Sequence, residues 1–193
     1  MTDVADQPDP RLAPTIAAVT TIDPVDRREA ASQREILRAL TMLSAPFDQT
    51  AAVTHVTGSA VIVGSRGVVL HLHKRLKRWL QPGGHLDGGE WPHDGATRES
   101  HEETGLTVWH PPTGPVLLHV DAHDGGRGHR HLDLRYVLFA GDADPSPPPD
   151  ESQDCRWFDL DDATAIADAG LRGALRRLRN LDRLEIVVRP WPS

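Results

Sequence analysis

The stretch LQPGGHLDGGEWPHDGATRESHEETGL, Leu80 to Leu106, constrains the fold of this chain more than any other. Pro92 suits the first turn of a helix and Gly105 its end, so the spacing predicts a helix over 92–104. Glu99, Glu102 and Glu103 stand at i, i+3 and i+4 of that helix, which puts three carboxylates on one side. Like charges at this spacing repel. A run of acids is by composition a solvated face, but the glycines of PGGHLDGGE would let backbone carbonyls approach the same side. Three carboxylates and a carbonyl make an oxygen cage for a hard divalent cation, magnesium or manganese, which would relieve the repulsion.

The rest of the chain supplies a frame for that helix. Residues 1–20 mix Asp, Pro, Thr and Ala and read as a flexible tail without chemistry. Residues 21–45 read as an added N-terminal helix, with Ile36, Leu37, Leu40 and Leu43 on one face. From 46 to 193 a single domain is expected. AAVTHVTGSAVIV and GVVLHLH are strand-like runs divided by the hairpin signal Gly64-Ser65-Arg66-Gly67. LTVW, PVLLHVDAH, HLDLRYVLFAG and CRWFDL are four further strand candidates, the last preceded by the proline-rich loop DADPSPPPDES. The C-terminal DDATAIADAGLRGALRRLRNLDRL reads as a helix interrupted at Gly170. Helices around many strands give an α/β class, a sandwich with a mixed central sheet.

Charge and cysteine content exclude several roles. A formal net charge of -7 leaves no general basic surface for nucleic acid. Arg172, Arg176, Arg177, Arg179 and Arg183 read either as a phosphate-steering patch or as a solvated outer face. The single cysteine, Cys155, permits no internal disulfide and no cysteine zinc cage, and reads as a half-buried strand residue. No apolar run is long enough to span a membrane and the N-terminus lacks the pattern of a signal peptide, so a cytoplasmic location is expected.

Gly84, Glu90, Arg98, Glu99, Glu102, Glu103, Gly105 and Leu106 match in register the signature of the Nudix hydrolase family, which this chain resembles. Seven fixed matches at roughly 6% usage each arise by chance on the order of once in a billion start positions. One position departs: Ser100 stands where the family has an aliphatic residue, and a slightly looser contact between helix and sheet is expected there. The resemblance implies the Nudix α/β/α sandwich over roughly residues 50–185, a homodimer as a plausible assembly, and Mg2+ or Mn2+ as cofactor. It further implies that Glu99, Glu102, Glu103 and the carbonyl of Gly83 hold the metal, with Glu90 and Arg98 as an ion pair that orients Glu99. The implied reaction is in-line attack of an activated water on the phosphoanhydride of a nucleoside diphosphate linked to another group. The base is Glu99, or by the pattern of other relatives Glu151 or Asp150, with Glu99 favoured.

The segment HVDAHDGGRGHRHLDLRY is the second unusual feature. His119, Asp121 and His123 alternate along one strand, and His129, His131, Asp133 and Arg135 along the next, so each set faces one side. These side chains read as a substrate-pocket wall, a solvated hairpin face, or ligands of a soft divalent ion separate from the acidic cluster. His73 and Lys74, with His71, are placed to share that wall, which makes His73, Lys74, His129, His131 and Arg135 the candidate substrate contacts. Features outside the signature that mark ADP-ribose hydrolases, dinucleoside polyphosphate hydrolases and isopentenyl diphosphate isomerases are missing, which weakens all three readings. The alternative to hydrolysis is a Nudix-fold module that binds or senses a nucleotide. RNA end processing is disfavoured for want of a basic channel.

Overall fold

The computed structural model of the chain describes residues 9–126 and 128–181. Its helices are α1 (Leu12–Thr20), α2 (Arg27–Met42), α3 (Pro92–Thr104), α4 (Leu160–Ile166) and α5 (Ala169–Leu181). Its strands are β1 (Thr54–Gly64), β2 (Gly67–Leu72), β3 (Trp79–Leu80), β4 (Gly83–His85), β5 (Val108–Trp109), β6 (Val116–Gly126), β7 (His129–Ala140) and β8 (Cys155–Phe158). One mixed sheet runs β3-β2-β1-β7-β5, with β4 also on β1, β6 on β7 and β8 on β2. The long β1 and β7 lie parallel at its centre, while β2 and β6 join them by antiparallel pairing. Helices cover both faces, which makes the expected α/β/α sandwich.

Alternation along the strands sorts the side chains between the two faces. Val56, Ala60 and Ile62 of β1, with Leu132, Leu134 and Tyr136 of β7, meet Val19, Ile36, Leu40 and Ala96 from α1, α2 and α3. On the opposite face Val61, Leu70, Leu118, Val137 and Phe139 meet Ala163, Leu171, Ala174 and Leu175 from α4 and α5. The second face is not apolar throughout. His55, Thr57 and Ser59 of β1 share it with His131, Asp133 and Arg135 of β7 and His119 and Asp121 of β6, and this polar band is where a cleft can open.

Three sequence expectations need correction. The tail is not structureless: residues 12–20 form α1, because Leu12, Ile16 and Val19 repeat at helical spacing and pack on the first core. Arg11 ties it down by donating to the Glu90 carbonyl (2.7 Å) and stacking on Phe47. The C-terminal helix breaks at Ala167-Asp168, ahead of Gly170, because Asp168 caps a new helix by accepting the Leu171 amide. Gly170 instead allows close approach, since a Cβ there would collide with the Asp121 carboxylate.

The arginines of α5 lie on the solvated outer face, with Arg172, Arg176 and Arg179 exposed and Arg177 half-buried, and they are paired rather than free to steer a phosphate. Arg177 donates to Glu29 (2.7 Å), Arg176 faces Asp26, Arg179 pairs with Asp161, and Arg172 donates to the Ala167 carbonyl; Arg183 lies outside the described residues. Ser100, finally, causes no looseness. It is fully buried, with its hydroxyl donated to the Ala96 carbonyl, and α3 presses so close that a Cβ on Gly58 would run into the Pro92 carbonyl.

Helix α2 fastens to the edge strand β6 through charge. Glu29 is fully buried and accepts from Arg177, from the Val25 amide and from the Val120 amide of β6. Arg28 pairs with Asp121. No helix among the described residues is long and apolar enough to cross a membrane.

Candidate functional site

The predicted helix boundaries hold: α3 begins on Pro92 and ends on Gly105 in the left-handed conformation, the Cβ-free position such a cap requires. Arg98 is the hub of its acidic face. The guanidinium grips both Glu90 oxygens at 3.0 Å, reaches Glu99 and Glu102 at 2.9 Å, and donates to the His85 carbonyl at 2.8 Å. Led by the bonds to Glu90, these partners raise its pKa far above the ordinary arginine value. Glu90, Glu99, Glu102 and strand β4 are thereby fixed to one another.

Glu103 lies deeper. Its carboxylate accepts the Gly83 amide at 2.8 Å and stands 3.7 Å from His71 Nε2. Burial, reinforced by Glu99, Glu151 and Glu102, raises its pKa to about 8, against the pull of the Gly83 amide. Glu99 is also raised, first by burial and then by Glu102 and Glu90, although Arg98 opposes the shift. Gly84 is required beside it, because a Cβ there would strike the Glu99 carboxylate. Acids that resist ionisation while held together, against a strand that opens on Gly83 and Gly84, suit a small divalent cation: its charge would supply what burial and mutual repulsion withhold.

A cleft of about 290 Å3 opens next to this face. Gly83, Gly84 and Gln81 line one side, His71 and His73 another, and His123, His131 and Asp133 a third, with Thr57 and Ser59 at the base. Asp133 accepts from both hydroxyls, at 3.2 and 2.9 Å. The proline-rich loop bends over α3, where the Ser146 amide donates to the Thr104 carbonyl, and it brings Glu151 near enough to raise the Glu103 pKa. Lys74 donates to the Asp150 carbonyl, which holds it beside that loop.

The sequence-derived candidates thus divide. Glu99, Glu102, Glu103, Arg98 and Gly83 come together, and Glu151, His73 and Lys74 gather on the loop side of the cleft. His131 and His85 line the cleft, while His129 is not among its walls and packs against His55 and His85. Arg135 is only 3% exposed and sits between Asp133 (2.8 Å) and Asp121 (3.1 Å), lining a second cavity. His119, Asp121, Asp133 and Arg135 are all buried, so the hairpin is not a solvated face. Cys155 is half-buried in β8, with its thiol pushed up to about 12 by burial and Glu103, in keeping with an unreactive strand residue. Sequence reasoning missed His55, His85, Thr57, Ser59 and Gln81. His85 and Gln81 stand inside the Leu80–Leu106 stretch, but His55, Thr57 and Ser59 are marked only by strand pairings that a single sequence does not display.

The NUDIX domain profile matches residues 53–178. The chain belongs to the Nudix hydrolase family. A NUDIX-family hydrolase from Clostridium perfringens is 31% identical, with a TM-score of 0.55 over 68% of this chain and 98% of that one. A MutT NUDIX hydrolase from Burkholderia pseudomallei is 29% identical, with a TM-score of 0.53 over 64% and 96%. Among curated proteins, the asymmetrical bis(5'-nucleosyl)-tetraphosphatase of Caenorhabditis elegans is 29% identical over 103 residues, 51% of this chain and 71% of that protein. The Ap4A hydrolase of C. elegans, in a binary complex, shares the fold at 21% identity with a TM-score of 0.57, over 67% of this chain and 98% of that one. This Nudix chain is therefore read as a hydrolase.

Proposed function

We propose that this Nudix hydrolase is a metal-dependent pyrophosphohydrolase that cleaves the phosphoanhydride bond of a nucleoside diphosphate linked to another group, with dinucleoside polyphosphates the first class to test. The observation that carries the reading is the joining of Glu99, Glu102 and Glu103 through Arg98 and Gly83 at the edge of an open cleft. The likeness to the asymmetrical tetraphosphatase supports the substrate class, against the missing features of dinucleoside polyphosphate hydrolases outside the signature.

The three glutamates and the Gly83 carbonyl would hold Mg2+ or Mn2+. Such an ion supplies charge neutralisation at the phosphoryl oxygens and a lowered pKa for the attacking water. The chain's own contribution is placement. Arg98 holds Glu99 in one orientation and binds Glu102 to the same guanidinium. Glu99, with its raised pKa, is the assigned base, able to take a proton from water as it approaches phosphorus. His73 lines the cleft and Lys74, next to it, is held on the loop by the Asp150 carbonyl, the side on which a phosphate chain leaving the acidic face would pass.

The test is product release from dinucleoside polyphosphates, nucleotide sugars, dinucleotides and nucleoside triphosphates, with magnesium and separately with manganese. Turnover of one class, lost in Glu102→Gln and Glu103→Gln at unchanged circular dichroism, is the expected result. Full activity in both variants overturns the metal assignment. Tight nucleotide binding without product on any substrate would instead make the chain a sensing module. Glu99→Gln and Glu151→Gln, compared by kcat, decide the base: the larger loss marks it.

A further inference from the structure

We infer that this protein carries a second metal site, for a transition-metal ion of the zinc type, built from His55, His85, His129 and His131 and separate in chemistry from the glutamate cluster. Each of the four rings offers one nitrogen, and these nitrogens all lie within 4.8 Å of one another. Sheet pairing brings them together. His55 of β1 is directly opposite His131 of the parallel β7, and His129 stands two residues before His131 on the same face. His85 of β4 is opposite Thr57, on the same side of β1 as His55.

The hydrogen bonding leaves a buried nitrogen of His55 and one of His129 without a partner and ties His85 Nε2 and His131 Nε2 only to each other, through a proton that a bound ion would displace. His55 is fully buried and its Nδ1 lies 3.0 Å from the Ala52 carbonyl. A carbonyl only accepts, so Nδ1 carries the proton and Nε2 of the neutral ring presents a lone pair. That Nε2 is buried and has no partner. An orphaned buried nitrogen is costly to leave, and a ligating histidine whose other nitrogen donates to a backbone carbonyl has the arrangement that fixes ring and tautomer for a metal. His129 Nδ1 is likewise buried without a partner. His85 Nε2 and His131 Nε2 lie 3.2 Å apart. Nitrogens bound to a tetrahedral zinc at its usual bond length stand about 3.3 Å from each other, so this pair already has the spacing of two ligands.

An all-imidazole set selects ions such as zinc over magnesium, which takes oxygen, so the two sites would not compete for one metal. Four protein ligands make a closed, structural site. It would tie β1, β4 and β7 together at the strand whose His85 carbonyl anchors Arg98.

The test uses the full-length chain without a histidine tag, stripped with a chelator and titrated with zinc against a chromophoric competitor. The expected result is one zinc per chain, retained in millimolar magnesium and raising the midpoint of thermal unfolding. His131→Gln and His129→Gln should each weaken zinc binding at least 100-fold, while Glu103→Gln leaves it unchanged. Cobalt in the unmutated protein should show the strong visible absorption of a tetrahedral ion, a readout that depends on no variant folding. The inference is overturned by no zinc uptake, by an octahedral cobalt spectrum, or by zinc that survives both histidine changes and is lost with Glu103. Magnesium-dependent turnover is measured separately, so loss of this site would leave the hydrolase reading untouched.

Discussion

Single residues here carry costs that the fold imposes on them. Glu103, with its pKa raised to about 8, is ionised at high pH only against burial and three neighbouring carboxyls. A folded-state pKa above the unfolded value means stability is lost as pH rises from about 4.5 to about 8. Glu103→Gln should therefore stabilise the metal-free protein by about 2 kcal/mol at pH 9, measured by denaturant unfolding, while abolishing turnover. His119 behaves in the opposite sense. Burial, with Arg135, Arg177 and Arg28 around it, lowers its pKa to about 3, and Asp121 opposes this only in part. Glu29 stands 3.8 Å from the ring through Oε1, which accepts the Val120 amide, while its Oε2 is paired with Arg177. The unfolded chain binds a proton near pH 6.5 that the folded chain refuses, so stability is lost as pH falls below 6.5. At pH 4 this should amount to about 2–3 kcal/mol, and His119→Gln should flatten that part of the pH–stability curve.

At the level of elements, close approach replaces bulk. Helix α3 sits on β1 because Gly58 leaves room for the Pro92 carbonyl, so Gly58→Ala should lift the helix and cost about 2–4 kcal/mol in denaturant unfolding, with a fall in kcat as the glutamates shift. The acidic helix was legible from sequence because its information is local: Pro92, Gly105 and the glutamate spacing all lie within one segment. The histidine-rich hairpin was legible as alternation, and its pairing followed from the glycine turn. Its burial was not. Whether His119 or Arg135 meets water depends on α2 and α5 arriving from opposite ends of the chain, and no local pattern announces that. Likewise His129 and His131 were visible as a pair, but His55 and His85 join them only through the β1–β7 and β1–β4 registers. Helix α1 was missed for a different reason: Pro14 and the threonines obscured the repeat of Leu12, Ile16 and Val19.

The whole molecule is held together across the boundary of its family domain. Arg11 reaches the Glu90 carbonyl and Glu29 receives Arg177, so segments ahead of residue 53 stabilise both the signature loop and the final helix. Deleting residues 1–45 should lower the thermal midpoint sharply and depress kcat, as measured by calorimetry and steady-state kinetics on the shortened chain. Glu29 matters for one more reason. Its carboxylate takes up the Val120 amide of β6, an eleven-residue strand that among the described residues has a neighbouring strand on one side only. An uncovered strand of that length is a template on which another chain can add itself. Helix α2 thus acts as a guard against self-association, and a molecule that loses its grip there would be expected to polymerise through its own sheet.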